Sequence, residues 1–417
     1  MTVLALDIGS SSVRAQRFDD TAEPDGELRQ EKYETNDARE VAQLVRKVLD
    51  GDEPDGTSCF GHSLVALDGK GEPLTPILGW RDTRSADAAE WLCRRLDTEA
   101  VHARTGAFVH PSFWPAKLAW LAESEPDVFR NAARFVSFSD YALGNDETSL
   151  SMASGTGLLD LTTNDWDIEL LEAIGLDGER LPPIANVPVW IDGACSNLGA
   201  GCVGRTRAAL MIGTSGAVRV LYETERPQPK PGLFVYRVDE RSVVEGGALS
   251  DGGNLHHWLE ETLAEGGSAR EEHGLTFLPF LGGERSTGWD ADATGTIHGL
   301  TFETTPADIR QAALEGVGFR FAAILDLLPD VEEVVATGGA LLKDDDWVQV
   351  IADAIARPVT RSAVEEASLR GAAVAVLGDP GEAPLGDTFH PREERAEAYR
   401  SARERQERLY QVLRGEL

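Results

Sequence analysis

Val3-Leu4-Ala5-Leu6-Asp7-Ile8-Gly9-Ser10-Ser11-Ser12-Val13-Arg14 lies at the start of the chain, and its reading decides the fold. Val3 to Asp7 is a continuous apolar run closed by one carboxylate, the pattern of a buried strand. Gly9 to Ser12 is turn material, and Val13-Arg14-Ala15-Gln16-Arg17-Phe18 alternates as the return strand of a hairpin. The motif comes back, one residue longer, as Ile212-Gly213-Thr214-Ser215-Gly216-Ala217-Val218-Arg219. Both copies follow an apolar strand, carry glycine beside small hydroxyl residues and lead into a second alternating strand. Such an echo near the start of each half of a 417-residue chain points to two domains, 1–204 and 205–417, with the boundary near Gly204.

A strand–turn–strand unit of this composition directs consecutive backbone N–H groups and hydroxyls into one concavity, a nest for anions. Two such nests facing each other would grip a polyphosphate from both sides. Neither copy contains Gly-Lys-Ser/Thr or runs directly into a helix, so P-loop and dinucleotide-fingerprint readings fail. Asp7 ends a buried strand, and a buried carboxylate needs a cation or donors. A magnesium ion carried by nucleotide phosphates would serve, directly or through water. Asp192 ends the apolar stretch Val189-Trp190-Ile191. Beside a γ-phosphate it could accept a hydroxyl proton during in-line attack; read alone, a surface-turn aspartate is the simpler assignment.

Further along, Glu40 to Leu49 has helical spacing at Val41, Leu44, Val45 and Val48, and Thr57 to Leu67 reads as one strand. Ala86 to Leu96 and Ala116 to Ala122 read as helices. Val334 to Ala336 is a short strand running into Gly338-Gly339, followed by a helix from Trp347 to Ala356 and a strand from Val359. Arg392 to Leu413 is a charged helix with Tyr399, Leu409 and Val412 available for docking. His256-His257 reads as helix surface, Asp344 to Asp346 as a solvated helix N-terminus, and Trp289 to Asp292 as a loop.

These motifs resemble the FGGY carbohydrate kinases of the actin/hexokinase/Hsp70 ATPase superfamily. Asp7 to Ser12, Ile212 to Gly216 and Thr337-Gly338-Gly339-Ala340 look like that family's first phosphate, second phosphate and adenosine motifs. Gly295 to Leu300, continuing to Asp308-Ile309 and Ala312 to Glu315, fits its C-terminal signature. Lys117 to Leu121 fits part of the N-terminal one, where Trp114 stands in place of the usual small residue or proline. The resemblance implies an α/β fold of two ribonuclease-H-like (actin-like ATPase) domains with a nucleotide and sugar cleft between them. It implies Asp192 as catalytic base and Asp7 as the magnesium organiser. Gly9, Ser10, Ser11, Ser12 and Arg14, with Gly213, Thr214 and Ser215, would meet the phosphates. Gly253, Gly338, Gly339, Ala340 and Lys343 would meet the rest of ATP.

For the sugar, the resemblance implies His62, Ser63, Trp80, Arg81, Asp82 and Arg84, with Lys117 and Arg285 as further cations for a sugar acid. Gly61 to Leu64, Val109 to Pro111, Ser154 to Asp160 and Leu278 to Arg285 look most like gluconate kinases, so gluconate is the first expected substrate and xylulose or another pentulose the second. Arg-Glu, which glycerol kinases carry where His62-Ser63 stands, is missing, which disfavours glycerol. A non-kinase ATP-binding scaffold of the same superfamily is the alternative from another class. The segments Gly51 to Gly56 and Trp258 to Leu275 are shorter than in most relatives.

Asp and Glu total 71 against 39 Lys and Arg, a formal net charge of -32. Only six of those basic residues are lysines. A surface this acidic disfavours nucleic acid and anionic membranes as partners. No apolar run reaches the roughly 18 residues that span a bilayer, no leader pattern follows Met1, and the four cysteines lack C-x-x-C spacing. The expected setting is a reduced cytoplasm. The oligomeric state stays open, a homodimer included. The acid excess is expected to suit a high-salt interior, since the Debye length falls to about 3 Å near 1 M salt. Lowering KCl should therefore unfold the protein, and restoring KCl should refold it, as followed by circular dichroism; full stability without salt would remove this reading.

Overall fold

A computed structural model describes residues 2–264, 266–378 and 381–415. Its backbone divides into two units. The first comprises Met1–Gly204, Leu221–Glu245 and Glu366–Ala383; the second comprises Arg205–Val220, Gly246–Glu365 and Pro384–Leu417. Neither unit is an unbroken half of the sequence.

The N-terminal hairpin starts the first unit. Strands β1 (Val3–Ile8) and β2 (Ser12–Phe18) pair antiparallel, with Asp7 opposite Arg14. Strand β3 (Arg29–Lys32) extends the edge beyond β2. On the other side β4 (Gly56–Cys59) pairs parallel to β1, and Val189–Ile191 pairs parallel to β4. The carboxyl ends of three parallel strands therefore lie together, and Asp7, Cys59 and Asp192 sit at those ends. That edge is where open α/β sheets take ligands.

Helix Ala38–Leu49 packs by the spacing read from sequence, burying Val41, Val45 and Val48. Asp37 caps its start by accepting from the Arg39 and Glu40 amides. The single strand expected over Thr57–Leu67 is broken. Its first part is β4, while Val65–Leu67 pairs instead with Arg134–Val136. The break falls at Gly61-His62. A Cβ on Gly61 would lie 2.5 Å from Ile191 Cδ1, and His62 takes a left-handed φ of 64°. Around this turn Leu64, Leu78, Trp114, Leu118, Leu121, Phe135 and Leu158 build a local core.

Helix Asp192–Gly199 lies against helix Ala367–Leu377, which comes from far along the chain but belongs to the same unit. The two touch backbone to backbone. A Cβ on Gly371 would lie 1.8 Å from the Cys195 carbonyl oxygen, and one on Gly199 would lie 1.8 Å from that of Ala367. Arg370, 4% exposed, donates through Nη1 to the Gly199 carbonyl at 2.8 Å and through Nε to that of Ala22 at 3.1 Å. Beneath the crossing, Leu369, Ala372 and Ala373 pack with Val3, Ala5, Phe18 and Cys195.

In the second unit the strands run in the order Ser242–Leu249, Gly216–Glu223, Gly204–Ile212, Glu333–Thr337, Val359–Ser362, Leu385–Phe389; the division between units falls within the first two of these and after the first residue of the third. Helix Pro306–Asp326 carries a capping box, Thr305 with Asp308, and Arg270 adds a pair to the buried Asp308 carboxylate at 2.9 Å. The C-terminal helix spans Ala396–Leu413. Tyr399 docks as expected, Leu409 only in part, and Val412 points outward at 52% exposure; Tyr410 takes the inward position. Among the described residues no helix is long and apolar enough to cross a membrane.

Gly371→Ala should destabilise the protein by about 3 kcal/mol, because overpacking against a backbone carbonyl has no side chain to relax. Gly69→Ala, where a new Cβ meets nothing within 4 Å, should stay within about 0.5 kcal/mol. Denaturant unfolding of both variants checks the contrast.

Candidate active site

Asp7 is 3% exposed, and both of its carboxylate oxygens are engaged. Ser58 Oγ donates to Oδ1 at 2.7 Å, and Arg14 Nη1 donates to Oδ2 at 3.2 Å. Arg14 also pairs with Glu366 at 3.0 Å. Burial pushes the Asp7 carboxyl up to about 6. Arg14 and Ser58 oppose that rise, and the nearby Asp192 and Glu366 carboxylates add to it. The hairpin tip presents Ser10 and Ser11 to solvent, while Ser12 is buried. Gly9 N–H donates to the Ser12 carbonyl at 2.9 Å, and the Tyr33 hydroxyl donates to the Gly9 carbonyl.

Asp192 opens its helix, partly exposed, with Oδ1 accepting from the Gly193 amide at 2.8 Å. A helix N-terminus favours negative charge at this position. Cys59 and Cys195 lie among the same carboxylates, and burial, reinforced by those charges, raises both thiols well above their ordinary range. They are poor nucleophiles there.

His62, Ser63 and Trp80 to Arg84, the residues expected at the sugar, lie in the same unit as Lys117. His62 donates from Nδ1 to the Gly155 carbonyl at 2.5 Å, with its ring edge-on to Phe113 at 4.7 Å and Tyr236 at 5.6 Å. Gly155 itself has no room for a Cβ, which would lie 2.9 Å from Ile191 Cδ1. Ser63 is buried. Its hydroxyl accepts from the Phe138 amide at 3.1 Å, and its carbonyl accepts from Trp114 Nε1 at 3.1 Å. Arg81 lies over the Trp80 ring, 4.8 Å from its centroid. Arg84 is paired with Asp82, Nε to Oδ1 at 2.9 Å, and stacks over Trp120. Burial raises Asp82, but Arg84 outweighs it and leaves the carboxyl below its usual range.

Lys117 corrects an expectation. It is 1% exposed, and Nζ donates to the carbonyls of His62, Leu78 and Ser112 at 2.6, 3.1 and 2.8 Å. Three carbonyls account for the three protons of an ammonium, so Lys117 ties three loops together rather than offering a charge to a sugar acid. Trp114, the departure from the family pattern, is a fully buried member of the same support.

In the second unit three turns converge. Gly253 N–H donates to the Gly213 carbonyl at 2.9 Å, Asn254 N–H to that of Thr214 at 3.0 Å, and Ala340 N–H to that of Ile212 at 3.2 Å. Strand pairing of Met211 with Thr337 sets the last contact. Gly338 has φ 85°, and a Cβ on it would lie 2.5 Å from the Ile212 carbonyl oxygen; a Cβ on Gly339 would meet nothing. Thr214 and Lys343 are exposed, and Gly213 and Ser215 are partly so. Arg285 lies in this unit too, buried, over the Trp289 ring at 5.8 Å. Backbone hydrogen bonds thus tie the stretches Gly338 to Ala340 and Gly213 to Ser215, with Gly253, into one cluster of turns.

Glu366, Tyr33 and Asp251 carry no assignment from sequence. Glu366 reaches Arg14 across more than 350 positions, which no local signal betrays. Asp251 sits in the turn beside Gly253, 1% exposed, where burial pushes it up to about 7 against the lowering effect of the Gly282 and Leu281 amides. As for magnesium, each Asp7 oxygen accepts one protein donor and keeps a lone pair. Its proximity to Asp192 makes a cation welcome there. Among the described residues no three His, Cys, Asp or Glu side chains are set to hold a metal by themselves.

Residues 2–206 match the model of the FGGY family of carbohydrate kinases, N-terminal domain, and residues 208–377 match that of its C-terminal domain. A gluconokinase from Bacillus subtilis (strain 168) is 28% identical over 404 residues, covering 82% of this chain and 79% of its own. A xylulose kinase from Streptomyces rubiginosus is 32% identical over 356 residues, covering 76% of this chain and 72% of its own. The solved structure of a ligand-bound xylulose kinase from Lactobacillus acidophilus superposes with a TM-score of 0.88 at 23% identity, covering 99% of this chain and 98% of that one. The fold is the actin-like ATPase fold, and the chain belongs to the FGGY family of carbohydrate kinases, phosphotransferases that act on sugars with ATP.

Proposed function

We propose that this kinase phosphorylates an aldonate, gluconate first, to give 6-phosphogluconate. Arg81 carries the choice of an acid. Its guanidinium rests on Trp80, with no ion-pair partner among the described residues, whereas Arg84 is taken by Asp82. A planar, unpaired guanidinium beside an aromatic suits a carboxylate and its carbon chain. Xylulose is the second reading, favoured by the identity to the Streptomyces enzyme.

In this scheme residues 1–204 and 205–417 act as the N- and C-terminal kinase domains. Asp192 accepts the proton of the attacking hydroxyl. That oxygen forms its bond to the γ-phosphorus as the bond to the leaving ADP oxygen breaks. Gly9, Ser10, Ser11, Ser12 and Arg14, with Gly213, Thr214 and Ser215, hold phosphate oxygens. Gly253, Gly338, Gly339, Ala340 and Lys343 hold the nucleoside side of ATP. Magnesium bound with ATP would neutralise phosphate charge and would be held by Asp7, through water. His62 and Asp82 orient sugar hydroxyls, Ser63 and Lys117 support that surface from beneath, and Arg285 adds a cation. Most of the rate enhancement then comes from alignment and charge stabilisation.

Asp192→Asn should lower turnover about 100- to 10,000-fold while ATP still protects against thermal unfolding; near-normal turnover would show that the base lies elsewhere. Arg81→Ala should raise KM for gluconate about 10-fold or more, the scale of one charge-assisted contact, and leave KM for xylulose nearly unchanged. Coupled ADP-release assays on aldonates, ketoses and polyols read both, and turnover of xylulose but not gluconate would select the second reading.

A further inference from the structure

Glu284 precedes Arg285 and is 1% exposed. Its carboxylate is clasped from three elements. Tyr410, on the C-terminal helix, donates its hydroxyl to Oε1 at 2.8 Å and lies 3.0 Å from Oε2. Arg320, on helix Pro306–Asp326 and also 1% exposed, donates from Nη2 to Oε1 at 3.2 Å and to Thr287 Oγ1 at 3.1 Å. Arg414 Nη1 reaches Oε2 at 3.4 Å, and the Gly288 amide donates to Oε1 at 3.0 Å. The Arg320 guanidinium lies over the Tyr410 ring, 4.3 Å from its centroid.

The clasp leaves no slack. A Cβ on Gly288 would lie 2.1 Å from Arg414 Nη1, 2.3 Å from the Tyr410 hydroxyl and 2.4 Å from Glu284 Oε2. Burial and the Glu284 carboxylate push the Tyr410 hydroxyl up to about 12, so it remains a donor at neutral pH. Within the loop, Glu284 N–H donates to the Asp290 carbonyl at 2.8 Å and Trp289 N–H to that of Arg285 at 2.6 Å, with the Arg285 guanidinium over Trp289. Every one of these contacts fixes the backbone from which Arg285 projects. Tyr410, Arg320 and Arg414, the side chains that clasp Glu284, all lie far from Arg285 in sequence.

We propose that Glu284 is a positioning residue for sugar recognition, acting through Arg285, and that Tyr410 and Arg414 make the C-terminal helix part of the sugar site's support. This rests on the reading of Arg285 as a substrate contact. A guanidinium recognises a carboxylate or a pair of hydroxyls only when its fork is held close to the right orientation, and a loop pinned by one buried carboxylate provides that hold.

Tyr410→Phe removes one O–H and keeps the ring over Arg320. In the full-length enzyme, with gluconate as probe (xylulose if gluconate is not turned over), it should raise the sugar KM about fivefold and leave kcat and the ATP KM within about twofold. Glu284→Gln should show the same pattern more strongly. In combination with Arg285→Ala, Tyr410→Phe should add nothing further to the sugar KM. A lowered melting temperature with an unchanged sugar KM, or full additivity with Arg285→Ala, would overturn the inference. If Arg285→Ala alone leaves the sugar KM unchanged, the Arg285 assignment falls and takes this inference with it. If Arg285→Ala raises the KM while Tyr410→Phe and Glu284→Gln do not, only the positioning role falls.

Discussion

The backbone-to-backbone approach of two helices at Gly199 and Gly371 is the constraint on which the first unit's chemistry depends. With any side chain at either position the Asp192 helix would be driven off the Ala367–Leu377 helix. The consequences run along the chain. The Asp192 helix begins where strand Val189–Ile191 ends, and Ile191 Cδ1 fills the space that Gly61 and Gly155 leave open. Gly155 in turn supplies the carbonyl that orients His62. One close crossing thus sets the place of a carboxylate and, through one isoleucine, the attitude of an imidazole.

What could be read from sequence was local in origin. The hairpin at Gly9 to Ser12 and its echo at Gly213 to Ser215 are legible because glycine, short hydroxyl residues and apolar runs each constrain the backbone within a few residues. The turn at Gly338 is legible for the same reason, and its φ of 85° shows why glycine stands there. Residues whose role depends on distant partners were not legible. Lys117 reads as a cation for a sugar acid until three carbonyls from separate segments are found around it. The Thr57–Leu67 run looks like one strand, since nothing in those eleven residues announces the left-handed turn at His62. Glu366 had no signal at all. Val412 and Tyr410 are two positions apart on one helix, and the inward one, Tyr410, is marked out by distant partners, Glu284 for its hydroxyl and Leu278 and Phe280 for its ring.

The preference for arginine among the basic residues also finds an interior use. Arg237, 1% exposed, donates through Nη1 to the Thr224 and Glu240 carbonyls and through Nη2 to those of Leu161 and Glu225. Arg370 does the same for Gly199 and Ala22. A guanidinium carries five donors in a fixed plane, so one side chain satisfies carbonyls from several loops at once. In a chain with so few lysines, arginine cross-braces irregular backbone that no strand or helix would otherwise saturate.

Helix Ala367–Leu377 belongs to the first unit although most of the second unit's sequence precedes it. During synthesis the sheet that begins with Val3 therefore has no covering helix until more than 350 further residues have been made. Val3, Ala5, Phe18 and Cys195 stay without Leu369, Ala372 and Ala373 over them for that interval. Through that interval the nascent chain lacks the partner for this apolar face, and faces of this kind are what make incompletely folded chains prone to aggregation.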